Sequence, residues 1–439
     1  MSTALFTDLY EIAMARAYLE EGRTGIAVFE TFFRKLPTNR GYVVAAGLAD
    51  VLDFVENFRF EPEELEWLAG QGDFPPDFLE ALGRLRFSGE VWAVPEGTVV
   101  FPYEPIVRVV APIHEAQLLE TYVLNQIHLQ SVLATKAARM VDAAEGRALV
   151  EFGARRAHGE DAAHKAVRAS YIAGFVGTSN LEAARRYGIP VFGTMAHSYV
   201  QAHASEADAF AAYARLFSGT TLLVDTYDTL RAVDEVIALA RRMGDAFTVA
   251  AIRLDSGDLG ALARAARDKL DAAGLQRVRI FASSGLDEWK IRDLVRGGAP
   301  IDAFGVGTRL VVSADAPTLD IAYKLVEYEG EGRTKLSSGK PIYPGRKQVF
   351  RRSEGGRFVE DVIASAEESH PGEPLLVQVM AGGRRLPFDH GLEAARHRCR
   401  AQIEALPEGV RALEPTATFP VRIADGLREA HEALQQRMR

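Results

Sequence analysis

At 439 residues the chain is long for one hydrophobic core, so two domains are expected. Hydrophobic residues at 48% and charged residues at 25% are the balance of an ordinary globular enzyme, and no run approaches the ~18 consecutive apolar residues of a membrane span. The net charge of −9 argues against a nucleic-acid binder, and a single cysteine, Cys399, excludes an internal disulfide and any multi-cysteine metal site.

In chain order, the opening MSTALFTDLYEIAMARAY has no basic segment ahead of its apolar residues, so no cleaved signal is expected and a cytoplasmic location follows. A helix is predicted after Thr7. Leu9, Tyr10, Ile12, Ala13, Met14, Ala17 and Tyr18 make it apolar almost all round, which calls for cover on two sides. Short strands follow in GEVWAVPEGTVVFPYEPIVRVVAP, punctuated by Pro and Gly. From 148 to 308 the pattern becomes an alternation of short β-branched runs with helical segments. Strands are predicted at 149–153, 174–178, 190–194, 222–226, 249–256, 279–284 and 302–308, with amphipathic helices such as SEADAFAAYARLF and DTLRAVDEVIALARRM between them. Parallel strands with right-handed crossovers close most naturally into an irregular (β/α) barrel, with a doubly wound open sheet as the alternative. Residues 325–439 return to short strands and end in a polar helix. The expected fold class is therefore α/β: a barrel at 126–324 plus a second α/β domain built from 1–125 and 325–439.

The unusual residues sit at the carboxyl ends of the predicted strands, where barrel active sites are assembled. ASSG (282–285) and GVGT (305–308) are each expected to present backbone N–H groups at a helix N-terminus, a way to hold phosphate. In RLDSGDL, Asp255 suits sugar hydroxyls or a hydrated magnesium ion, Asp258 reads as a helix N-cap, and Arg253 matches a carboxylate or phosphate. Of Arg155 and Arg156, one is expected to enter the site and the other to form a solvated ion pair. His197 falls in the first turn of a helix after a strand end and suits a general base or a phosphoryl-accepting nucleophile. His158 and His164 are weaker candidates, and His203 is off the i+4 spacing of a metal pair. Cys399 lies in the basic helical stretch ARHRCRAQ and is not expected to be catalytic. The segment GKPIYPGRKQVFRR reads as either a basic lid or an exposed basic hairpin.

Taken together, FTDLYEIAMARAY, VFETFFRKLPTNRGYVVAAGL, EFGARRAHG, GFVGTSN, GTMAHSYVQ, IRLDSGDL, FGVGTRL and PGRKQVFR resemble the nicotinate phosphoribosyltransferase family over residues 5–350 or so. The resemblance implies a type II phosphoribosyltransferase that is a homodimer with its sites at the subunit interface. It also implies the reaction of nicotinate with phosphoribosyl pyrophosphate to nicotinate mononucleotide and pyrophosphate, coupled to ATP hydrolysis, with Mg2+, in NAD biosynthesis. By the same resemblance Tyr10 of one subunit and Phe152 of the other sandwich the pyridine ring, with Thr194 and Arg253 near the nicotinate. Arg155, Asp255, Ser283, Gly305, Gly307 and Thr308 face the phosphoribosyl part, and His197 is the residue that ATP phosphorylates. Nicotinamide phosphoribosyltransferases carry an Asp where this chain has Ser179 in GTSN, which favours the nicotinate anion here. Nicotinamide or quinolinate transfer, or a non-catalytic sugar-phosphate-binding barrel, are the alternatives.

Overall fold

The structure is a computed structural model and describes residues 3–336 and 340–438. The chain divides into two compact units, Met1–Val132 with Ala316–Arg439, and Leu133–Asp315.

In the second unit, short β-branched runs form the strands Ala148–Glu151, Gly177–Thr178, Thr221–Leu223, Ala251–Leu254, Arg279–Ala282 and Ala303–Val306. They make one six-stranded parallel sheet, ordered in space 177–178, 148–151, 303–306, 279–282, 251–254, 221–223. The last strand in sequence thus pairs with the first, and the sheet curls. The strand predicted at 190–194 does not form; it contributes one parallel bridge, Thr178 to Val191. Pro190 has no N–H to give to a ladder and Gly193 brings no side chain to pack, so this run cannot sustain pairing. A side chain ties it to the opposite edge strand instead, the Thr194 hydroxyl donating to the Thr221 carbonyl at 2.5 Å.

The helices of this unit start in two ways. Those beginning at Leu181, Glu206, Thr229, Leu259 and Glu288 are capped by the side chains of Asn180, Ser205, Asp228, Asp258 and Asp287, each accepting a backbone N–H three residues on. A cap of this kind is worth about 1 kcal/mol and occupies amides that would otherwise hold a ligand. The helices His197–Gln201 and Thr308–Val311 have no side-chain cap. Asp258 is thus the structural residue its position implied.

The first unit is built on a seven-stranded sheet. Its strand Ile26–Phe33 is buried at every residue after the first, pairing antiparallel with Val107–Pro112 and with Ile321–Tyr328. Buried charges here are paired, as burial requires: Glu30, in the middle of that strand, is 2.8 Å from Lys347 Nζ. From Arg346 onward the basic stretch is accordingly a paired strand, with its charges neutralised rather than free. Gly339 lies outside the described residues, and from Arg346 to Arg352 every cation meets a carboxylate, Arg346 with Glu327, Lys347 with Glu30, Arg351 with Asp361 and Arg352 with Glu360. Strand Lys347–Glu354 belongs to a four-stranded sheet, which is why Lys347 and Arg351 point into the interior.

Helix Leu9–Glu20 buries Glu11, Ile12 and Ala15 within the chain, while Leu9 and Tyr10 stay 67% and 45% exposed. One of its two apolar sides is therefore uncovered in the single chain. Among the described residues no helix is long and apolar enough to cross a membrane.

Cys399 lies inside helix Leu392–Ala405 and is fully buried, and burial pushes its thiol up to about 12. The basic residues of ARHRCRAQ surround it in sequence, but the sulfur itself faces the interior. A disulfide-exchange reagent at neutral pH should leave the native protein unlabelled and titrate one thiol in denaturant. Rapid labelling without denaturant would show that the thiol is accessible and reactive.

Candidate active site

A cavity of about 350 Å³ opens at the carboxyl ends of the parallel sheet. Its wall contains Phe152, Arg155, Ser179, Thr194, Arg253, Asp255, Ser283, Gly305, Gly307 and Thr308, all singled out from the sequence, together with Arg156, Met195, Ala196 and Ser284. Residues from six separate loops and strands converge because parallel strands send all their carboxyl ends to one side.

Its chemistry is cationic. Arg155 and Arg156 both line the cavity, Arg156 donating to the Thr308 hydroxyl at 3.3 Å, and neither has a carboxylate partner among the described residues. The ion pair expected for one of them is therefore not found. Arg253 rises from strand Ala251–Leu254; burial pulls its guanidinium down from its ordinary value, against the favourable charges of Asp255 and Asp225. Its Nε is buried without a hydrogen-bond partner. A guanidinium held this way suits an anionic acceptor that desolvates with it.

Asp255 is the junction of the site. It accepts a hydrogen bond from the Ser283 hydroxyl, and its Oδ2 lies 3.8 Å from His197 Nε2. Behind it, Asp225 Oδ2 accepts the Asp255 N–H at 3.1 Å and the Ser256 hydroxyl at 2.5 Å, fixing the turn. His197 itself is not on the wall but directly follows the wall residue Ala196, half-exposed, with Nδ1 3.2 Å from the Thr226 hydroxyl. His203 bonds its own helix backbone at Tyr199, His158 is exposed and His164 is buried, so none of these three reaches the cavity wall. Tyr10 lies in the other unit.

The two glycine-rich turns differ from expectation. ASSG is not at a helix N-terminus: the next helix starts at Glu288 under its own cap, Asp287. Its open amides come from a loop in which Ser284 has φ 99° and Gly285 φ 56°. For serine this is a strained conformation, of the kind found where a backbone is shaped for a ligand. In GVGT, Gly305 is paired within strand Ala303–Val306, and a Cβ there would meet the Phe152 ring at 2.7 Å. Gly305 therefore makes room for an aromatic ring. The free amides begin at Gly307 and Thr308, the uncapped helix start on the cavity wall. Phe152 also packs on Phe281, ring centroids 5.7 Å apart, above a smaller apolar cavity of about 140 Å³.

VDTYD is one of the polar strand ends visible in the sequence, but nothing there assigns a role to Asp225 or Thr226. They carry the same signal as Asp255, a polar residue just past a strand's carboxyl end, in VDTYD. No group of three His, Cys, Asp or Glu side chains among the described residues could hold a metal ion.

A curled parallel sheet bearing an arginine-lined polar cavity at its carboxyl ends defines an α/β protein built to take a small anionic ligand. Residues 5–128 match the profile of the nicotinate phosphoribosyltransferase N-terminal domain, and residues 147–359 that of the nicotinate phosphoribosyltransferase family. A Mycobacterium tuberculosis protein named nicotinate phosphoribosyltransferase pncB2 is 62% identical over 425 residues, 96% of this chain and 92% of that one. A Bacillus subtilis nicotinate phosphoribosyltransferase is 46% identical over 80% of this chain and 73% of its own. The crystal structure of human nicotinic acid phosphoribosyltransferase superposes with a TM-score of 0.86 at 29% identity, covering 98% of this chain and 99% of that one. The chain belongs to the nicotinate phosphoribosyltransferase family.

Proposed function

We propose that the protein is a nicotinate phosphoribosyltransferase of NAD biosynthesis, joining nicotinate to phosphoribosyl pyrophosphate with release of pyrophosphate, and that the arginine-lined cavity is where the two substrates meet. The observation that carries the second point is the convergence of Arg155, Arg156 and Arg253 on one polar cavity whose wall holds a single carboxylate, Asp255.

Displacement at the anomeric carbon builds positive charge on the ribose and negative charge on the departing pyrophosphate. Arg155 and the open amides at Ser284–Gly285 and Gly307–Thr308 hold the phosphates, the Ser283 N–H being taken by the Leu254 carbonyl at 2.8 Å, while Asp255 faces the ribose, where its negative charge stabilises the developing cation. Arg253 takes the nicotinate carboxylate beside Thr194, whose hydroxyl is held by the Thr221 carbonyl, and Phe152 supplies an aromatic face for the pyridine. Ser179 brings a hydroxyl and no charge to the wall, so nothing there repels that carboxylate. Asp255, with a buried, unpartnered Asp225 oxygen behind it, would hold a Mg2+ ion together with substrate phosphate oxygens, as is usual for an ion bound by one or two carboxylates, and the ion would supply charge that neutralises the leaving pyrophosphate. ATP is a co-substrate whose γ-phosphoryl group passes to His197, and the added charge beside Asp255 couples hydrolysis to transfer.

The curled sheet reads as an irregular (β/α) barrel whose seam lies between Thr194 and Thr221, with a second α/β domain from both ends of the chain. A homodimer covers the exposed side of helix Leu9–Glu20 and presents Tyr10 to the partner's pyridine site, completing the ring sandwich with Phe152. The test is turnover of phosphoribosyl pyrophosphate with Mg2+ and nicotinate, nicotinamide or quinolinate, each with and without ATP. Nicotinate is expected to be preferred by about a hundredfold or more in kcat/KM, the range a charge-specific pocket supplies. Faster turnover of nicotinamide would sink the substrate assignment.

A further inference from the structure

Glu151 ends strand Ala148–Glu151, is fully buried, and has no cation partner among the described residues. Burial pushes its carboxyl up from the ordinary range. An isolated carboxylate in the interior is costly, and an apolar side chain would pack the same space without that cost. What the carboxylate does instead is accept hydrogen bonds on both oxygens: Oε1 takes the Gly153 N–H, and Oε2 takes the Thr178 hydroxyl at 2.6 Å. Its backbone carbonyl takes the Ser179 N–H at 3.0 Å.

Thr178 is equally buried and carries the chain of bonds onward. Its hydroxyl accepts the Asn180 N–H at 3.0 Å. Its backbone N–H donates to Pro190 at 3.1 Å, and its carbonyl accepts from Phe192 at 2.9 Å. The segments that carry Phe152, Ser179 and Thr194 to the cavity therefore meet at Glu151 and Thr178: the two side chains bond each other and the Gly153 and Asn180 amides, and the Thr178 backbone holds the 190–194 segment. These are the segments that lack a proper strand ladder: Gly177–Thr178 is two residues long and 190–194 makes a single bridge. Where ladder hydrogen bonds are few, the Glu151–Thr178 side-chain bond helps fix the Thr178 backbone from which the 190–194 segment hangs.

We propose that Glu151, acting through Thr178, is a positioning residue that sets the pyridine-facing wall of the cavity. The inference rests on the assignment of Phe152, Ser179 and Thr194 to that wall. Thr178→Val removes the hydroxyl at nearly constant shape and leaves the Glu151–Gly153 bond, and so the Arg155 side of the site, in place. Steady-state kinetics should then give a nicotinate KM raised about tenfold, with the KM for phosphoribosyl pyrophosphate within about twofold of the parent and kcat lowered less than about threefold. Thr178→Ser should restore the nicotinate KM, because it restores the hydroxyl. Glu151→Gln, which keeps the volume but turns one acceptor into a donor, should raise the nicotinate KM in the same selective way.

A purely structural role would move both KM values together, in step with a fall in thermal midpoint and without rescue by Ser; that result overturns the proposal. Phe152→Ala and Ser179→Ala are run alongside. If they raise the nicotinate KM and Thr178→Val does not, the positioning role fails while the wall assignment stands. If neither changes it, the wall assignment fails and the positioning role with it.

Discussion

Replacing His197 with Ala is expected to abolish ATP stimulation of phosphoribosyl transfer, and with it acid-labile incorporation of the γ-phosphoryl group, while some ATP-independent transfer persists. The geometry gives the reason for the split. His197 stands just off the cavity wall, Nδ1 bonded to Thr226 and Nε2 3.8 Å from Asp255, so its loss removes a nucleophile without removing a wall. A phosphoryl group there adds a charge of about −2 next to Asp255 and the arginines, altering how tightly a polyphosphate is held. The measurement is the initial rate with and without ATP, together with label transfer from γ-labelled ATP. Undiminished ATP dependence would place the phosphoryl acceptor elsewhere.

The second large effect is expected at Asp255. Asp255→Asn retains an oxygen to accept the Ser283 hydroxyl, and its backbone N–H can still donate to Asp225, so the fold of the turn is preserved and only the charge is lost. In the proposed reaction that charge faces the ribose, where the transition state becomes cationic, and removing such a preorganised group costs about 10²–10³ in rate. The loss should appear in kcat as well as in kcat/KM, with a thermal midpoint close to that of the parent. A variant within about threefold of the parent would show that the carboxylate charge is not what the reaction uses.

Most of the cavity wall is visible in the linear sequence because parallel βα units advertise themselves. Each short β-branched run is followed by polar residues and then a helical period, so EFGARR, GTSN, GTMAHS, RLDSGDL, ASSG and GVGT are each recognisable as the carboxyl end of a strand or run. All six contribute to the one cavity. The errors have local causes. The stretch 190–194 has strand-like composition but carries a proline and a glycine where a ladder needs an amide and a side chain, and it becomes a bridge. Gly305 lines the cavity as expected, and its lack of a side chain also makes room for the Phe152 ring. Lys347 and Arg351 looked like a lid because their carboxylate partners, Glu30 and Asp361, are distant or unremarkable in sequence.

The sequence by itself determined the alternating βα architecture, the acid and arginine residues of the cavity wall, and, through its motifs, the family. Tertiary structure alone decided which of those residues share a wall, that Gly305 makes room for the Phe152 ring, and that three segments meet at Glu151 and Thr178. Periodicity reports which way a side chain faces relative to its own strand or helix. Pairing between elements depends on partners far away in the chain, such as Thr194 with Thr221 or Asp225 with Asp255, and only the folded backbone brings them within hydrogen-bond reach.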